Sequence, residues 1–281
     1  MSEIGIISIV IIAANFIFSY KGFTNRSFYE GYSFEVDKVL LNKDYIRIIS
    51  SGFLHINWTH LIFNMLTLYA FSASIEHTLG EINYLLIYFS GIIGGNLFSL
   101  FIHRNHGDYG AVGASGGVCA IIFASIALFP GLQIGFFILP VSIAAWIYGL
   151  IYVLFSIYAI KSNHDNVGHE AHLAGAILGM LIAIAMEPSS LQYNYLPILA
   201  VIIPCIAFIF IIVKKPQALL IDNYFFKQQE KFYSIDHKYN SEKVLRQKEI
   251  DAILEKIHKK GMKSLTQEER QTLAAYSEKI R

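Results

Sequence analysis

A serine and a histidine stand at the mouths of two apolar stretches, in Gly113-Ala114-Ser115-Gly116-Gly117 and in Ala171-His172-Leu173-Ala174-Gly175. On neighbouring membrane helices a hydroxyl and an imidazole can serve as nucleophile and general base of a hydrolase, provided their heavy atoms come within about 3 Å. Neither group is cheap to place in lipid, because each loses water there and needs a partner, so an ionisable residue in a span points to function. A third polar feature comes earlier: His60 and Asn64 are four residues apart in an otherwise apolar run and share one helix face. Two uncharged N–H donors stacked in a dry site can hold the negative charge that develops on a carbonyl oxygen. Taken alone, His60 and Asn64 are equally at home as glue between packed helices.

The Gly-x-Ser-x-Gly pattern around Ser115 also marks soluble hydrolases, but there it follows a strand within an α/β sheet. Here its flanks are a polar loop, 103–109, and an apolar helix, 118–128, so that context is missing. What the motif supplies is smallness, since Gly113, Gly116, Gly117 and Ala120 admit a second helix backbone at close range. Gly175 and Gly179, three and seven residues after His172, nominate the helix that approaches and make His172 the general base. His169 lies nearer the loop carrying Lys161, His164 and Asp165, where a solvated histidine is expected. Nothing in the spacing of Asp165 or Glu170 makes either a third catalytic member.

The elements that must position these groups follow from composition. At 281 residues, with 54% hydrophobic and 15% charged side chains, the chain is too apolar for a water-soluble domain and reads as an all-α polytopic membrane protein. Spans are expected over residues 4–19, 60–75, 82–102, 115–129, 134–160, 172–186 and 197–213, the fourth and sixth being short as buried polar ends would allow. The first carries Glu3 and no Lys or Arg ahead of it, and no small-residue cleavage site follows, so it reads as a retained helix rather than a signal. A net charge of +1 gives nucleic acid no purchase, and Cys119 and Cys205 both lie in apolar runs.

Of 22 Lys and Arg, seven precede Lys214 and the remaining fifteen follow from there, which divides the chain into a membrane domain, 1–215, and a water-exposed tail, 216–281. In the tail Ile250, Ile253, Leu254 and Ile257 recur at helical spacing, Gly261 interrupts, and Thr266 with Glu269 forms a capping box. That pattern predicts a small helical hairpin over 249–280, a solvated appendage that docks rather than a second enzyme.

In these motifs the chain resembles the rhomboid family of intramembrane serine proteases. The matching residues are Arg47 in the first loop, His55, His60 and Asn64 at the family's H-x4-H-x3-N spacing, Glu76 and Gly80 closing the second span, Gly113-Ala114-Ser115-Gly116, and Ala171-His172 with Gly175 and Gly179. They run from the second to the sixth span in the family's order. The resemblance implies a six-helix core, here with 197–213 as a seventh span, and a Ser115–His172 dyad that works without an acidic third member, a metal or a cofactor. It implies that the oxyanion is held by the Ser115 backbone N–H with Asn64 and His60, and that His55, Arg47 and Glu76 support the loop and the packing. Substrates would be single-span membrane proteins that unwind near a helix end. Compactness and the lack of a targeting extension point to a bacterial plasma membrane. Two positions depart from the family's pattern: Ile46 stands where a tryptophan is usual, and Cys119 stands where some members carry a tyrosine against the base, a role left to an aromatic such as Tyr148 or Tyr152.

Three other function classes make different demands. A metal-dependent intramembrane protease would need H-E-x-x-H, and His169-Glu170-Ala171-His172 is one residue short. An inactive relative that binds membrane helices without cutting them would be expected to lack the serine or the base. A transporter would spread polar residues along a path through several spans, whereas these cluster at one end. Rhomboid-like orientation puts the amino end inside and Ser115 near the outer side, so a seventh crossing carries the tail outside, while Lys214 and Lys215 favour the inside.

Overall fold

A computed structural model describes residues 4–135, 142–162 and 168–214, and beyond them only 253, 256, 257 and 266. The rest of the tail, with the hairpin expected over 249–280, and the loop residues His164 and Asp165 lie outside the described residues. The chain divides into two compact units, Met1–Gln229 and Glu230–Arg281. In the second, Ile253, Lys256 and Ile257 are helical and Ile253 is buried.

The first unit is an all-α bundle. Helix α1 (Ile6–Thr24) leads into a folded loop made of α2 (Arg26–Tyr32), β1 (Phe34–Glu35), α3 (Val36–Leu40), α4 (Arg47–Ser50) and a 3-10 turn, Ser51–Phe53. After it come α5 (Trp58–Leu79), α6 (Glu81–Ile102), β2 (Gly110–Ala111), α7 (Ser115–Leu128), β3 (Gln133–Gly135), β4 (Ser142–Ala144), α8 (Ala145–Ser162), α9 (His169–Met186), α10 (Ser190–Tyr193) and α11 (Tyr195–Lys214). The strands form two small antiparallel pairs, β1 with β2 and β3 with β4. Every apolar run of the sequence holds a helix, with two corrections. The fifth run is helical only from Ala145, because its first part pairs as β3 and β4; Gly135 and Pro140 in that stretch are poor helix-interior residues. The sixth helix starts at His169, three residues earlier than expected.

Burial is the reverse of a water-soluble bundle. Large apolar side chains such as Ile9, Ile17, Phe63, Leu66 and Ile206 are exposed, while Ser8, Asn15, Ser19, Ser72, Asn96 and Ser99 are buried. Lipid tails solvate the first set as well as a core would, so polar contacts and close fit hold the interior. Helix α1 shows the pattern: its buried face is Ser8, Ile11, Asn15, Ser19 and Gly22. Asn15 donates to Tyr88 Oη at 3.3 Å, and the Glu76 carboxylate accepts from the Ile7 and Ser8 backbone N–H groups and from Ser8 Oγ. Helices α1, α6 and α9 are long and apolar enough to cross a bilayer, and α7, α8 and α11 contain shorter apolar helices.

The element at the centre is α7, whose every residue after Ser115 is buried. It packs against α6 and α9 through backbone rather than side chains. A Cβ on Gly175 would collide with the Gly116 backbone, one on Gly179 with Ala120, and one on Gly116 would lie 2.8 Å from Gly91 O. With 14 residues α7 is about 21 Å long, against about 30 Å of hydrocarbon, too short to reach both membrane surfaces. Its far end is closed by Asn194, whose amide donates to Ile126 O and Ala127 O at 2.7 and 2.8 Å.

Candidate active site

The glycine seam between α7 and α9 decides where two side chains meet. Ser115 opens α7, His172 lies in the first turn of α9, and Ser115 Oγ is 2.5 Å from His172 Nε2. Both are half-buried and line a cavity of about 660 Å³, together with His60, Phe63, Tyr109 and Gly168. As the first residue of the helix, Ser115 presents a backbone N–H that has no intrahelical partner, at the positive end of the helix dipole.

The loop before the serine is held by a chain of hydrogen bonds. Gly113 N–H donates to Ser51 O at 3.0 Å, and its φ of +137° is open to glycine and strained for other residues. Ala114 N–H donates to His55 Nε2 at 3.4 Å, which places the His55 proton on Nδ1, 2.8 Å from Ser19 Oγ; Ser19 Oγ in turn donates to Phe53 O at 3.0 Å. Burial, with His60 beside it, pushes the His55 imidazole down to about 3, so it stays neutral and its Nε2 remains an acceptor. Its ring meets His60 edge-on at 4.9 Å.

His60 and Asn64 share a face of α5, and they are placed differently. Asn57 caps α5 by accepting from His60 N at 2.8 Å, which starts the helix at Trp58. A Cβ on Gly113 would lie 3.0 Å from His60 Nε2 and 3.5 Å from Ser115 Oγ, so the bare glycine leaves a space bordered by both. Asn64 is buried, gives one amide hydrogen to His60 O at 2.9 Å and does not line the cavity. Arg47 is buried away from the dyad, its guanidinium bonded to Asp44, Glu30 O and Ser33 O at 2.7–2.8 Å, tying α4 to α2 and the turn after it. Glu76, at the other end of α5, anchors α1.

Of the two aromatics that could accompany the base, Tyr152 does so: its ring is within 21° of parallel to that of His172, and its Oη is 2.8 Å from His172 Nδ1. Tyr148 stacks behind Tyr152. His169 corrects the expectation of a solvated side chain. Because α9 begins with it, it is buried, packed edge-on against Phe155 and His172. Glu170 faces another way and accepts from Tyr109 Oη at 2.6 Å and Ser99 Oγ at 3.1 Å, with His103 Nε2 at 3.2 Å. Burial, reinforced by that carboxylate, holds the Tyr109 hydroxyl well above its usual range and therefore a donor. Sequence spacing carries no sign of this cluster, because its members come from α6, the following loop and α9. Among the described residues no three His, Cys, Asp or Glu side chains are grouped to hold a metal ion.

A family profile described as Rhomboid domain matches residues 42–189, and one described as a family of unknown function matches 233–279 in the tail. Among curated relatives, the chain is 34% identical over 150 residues to Rhomboid protein 1, mitochondrial, of Saccharomyces cerevisiae, covering 51% of this chain and 43% of that one. It is 31% identical over 151 residues to RHOMBOID-like protein 12, mitochondrial, of Arabidopsis thaliana, covering 48% and 44%. Rhomboid protease AarA of Providencia stuartii is 30% identical over 161 residues, covering 52% and 57%. The chain thus spans about half the length of the curated relatives it matches. With the profile running from the loop before α4 through the end of α9, over half of the chain and across every residue of the dyad and its neighbouring donors, this multi-pass membrane protein belongs to the rhomboid family.

Proposed function

We propose that the chain is an intramembrane serine protease that cuts single-span membrane proteins in or near their membrane segments. The observation that carries this reading is the 2.5 Å approach of Ser115 Oγ to His172 Nε2 at a cavity wall. His172 takes the Ser115 proton as Oγ attacks the peptide carbonyl, then returns it to the leaving amine; cavity water hydrolyses the acyl-enzyme with the same base. The oxyanion forms in the space left by Gly113, bordered by His60 and Ser115, with the Ser115 N–H and His60 as its donors and the remaining amide hydrogen of Asn64, one turn further along α5, as a third. A substrate helix must open first, since its own hydrogen bonds hide its carbonyls. The membrane is a bacterial plasma membrane, a reading supported by the Providencia relative and tested by fractionation against the organellar location in other relatives' names.

The test incubates purified protein and its Ser115→Ala form with a fluorophosphonate probe and a model single-span substrate. Labelling and cleavage by the parent alone, both falling on His172→Ala, are expected. Substrate capture without labelling or cleavage in the parent would instead identify a protein that binds membrane helices and leaves them whole.

A further inference from the structure

Two more side chains stand in line behind the reacting pair. His172 Nδ1 is 2.8 Å from Tyr152 Oη, and Tyr152 Oη is 3.3 Å from Cys119 Sγ. A neutral imidazole carries one proton, and the nitrogen that holds it decides whether Nε2 can accept from Ser115. If Tyr152 donated to Nδ1, the proton would sit on Nε2, and His172 could not act as a base toward the serine. Cys119 Sγ offers the tyrosine proton another acceptor. With O–H directed to sulfur, the Tyr152 oxygen accepts Nδ1–H and Nε2 is left bare.

Building on the proposed Ser115–His172 chemistry, we infer that Tyr152 is a positioning residue that sets the His172 tautomer through its hydroxyl, with Cys119 as the acceptor that turns that hydroxyl away from the imidazole. The chain then reads Ser115 O–H to His172 Nε2, His172 Nδ1–H to Tyr152 Oη, and Tyr152 O–H to Cys119 Sγ. Its geometry is held at each member. Cys119 is buried one turn after Ser115 on the same face of α7. The Tyr152 ring is held by Tyr148, 24° from parallel at 6.3 Å, and by Phe123 at 6.2 Å. When His172 gains the serine proton, the Nδ1–H···Oη bond becomes charge-assisted and strengthens as the transition state is reached. Glu170, two residues before His172, does not compete for the post, since it is engaged by Ser99, His103 and Tyr109.

Histidine-selective ¹⁵N NMR of the full chain in micelles reads the tautomer directly, with the His172 signals identified by their loss in His172→Asn. The parent is expected to show a protonated Nδ1 and a bare Nε2. Tyr152→Phe keeps the ring and is expected to populate the Nε2–H form, lowering kcat about 10- to 100-fold with KM and melting temperature unchanged. Cys119→Ser keeps an acceptor and should behave as the parent, whereas Cys119→Ala should drift toward Tyr152→Phe. A parent imidazole protonated at Nε2, a Tyr152→Phe form with the parent's tautomer and kcat, or identical Cys119→Ala and Cys119→Ser forms would each overturn the assignment. Because the tautomer is measured without turnover, a protein that never labels or cleaves defeats the proteolytic reading and leaves Tyr152 to be judged separately.

Discussion

The two ends of α7 are treated in opposite ways. At its C-terminus one asparagine, Asn194, reaches across from the turn before α11 and takes the carbonyls of Ile126 and Ala127. At its N-terminus the chain satisfies the backbone of Gly113 and Ala114, through Ser51 and His55, while Ser115, whose N–H has no intrahelical partner, lies at the wall of a cavity. A helix end without partners is costly in a membrane, so an open one beside a hydroxyl and an imidazole fits the proposed hydrolytic role better than a structural one. The contrast predicts that changes at one end act on rate and changes at the other on folding.

Ser115→Ala separates the two most widely: cleavage should fall by about 10³-fold or more while thermal unfolding is unchanged, and a large loss of melting temperature would erase the contrast. Gly175→Val strikes the seam that serves both ends. Its added carbons meet the Gly116 backbone, costing about 1–3 kcal/mol by overpacking and about 10²-fold in activity by displacing the dyad; a variant melting and cleaving like the parent would deny that the glycines set the separation. His55→Leu leaves Ala114 N–H unpaired beside the serine, so a stability loss of about 1–3 kcal/mol should accompany slower cleavage. The pH dependence sharpens this case. His55 is held near 3 in the fold against an ordinary 6.5, so the unfolded chain takes up the proton first, and the parent loses stability as pH falls below 6.5. Replacing His55 should flatten that slope in melting experiments, and an unchanged slope would assign it to other groups. The smallest effect on rate is expected from Asn194→Ala, which should lower the melting temperature by several degrees, about 1–3 kcal/mol, with cleavage near the parent's.

Legibility in the sequence followed the range of the interactions. Helical spacing within one segment placed His60 and Asn64 on a common face and Gly175 and Gly179 on the face of His172, and small residues marked the seam. The seven apolar runs gave the helices because lipid length and hydropathy constrain them strongly. The fifth run is helical over only part of its length, since apolar composition does not separate a strand pair from a helix. Asn57, as a cap, marks the start of α5 at Trp58, two residues ahead of the start that apolar composition suggests. Pairings between distant segments left no periodic mark, which is why the Glu170 cluster and the hydroxyl role of Tyr152 emerge only from coordinates.

Glu76 bears on how the molecule is assembled. Its carboxylate meets donors that lie some seventy positions earlier in the chain, at the start of α1. During synthesis that contact can close only after α5 has been made, well after α1 has left the ribosome. A shortened protein beginning at residue 42, where the family profile starts, would leave the buried Glu76 carboxyl without those donors, a defect worth about 1–3 kcal/mol. Helix α1, although it contributes no residue to the dyad, thus supplies the donors on which the buried carboxyl of α5 rests.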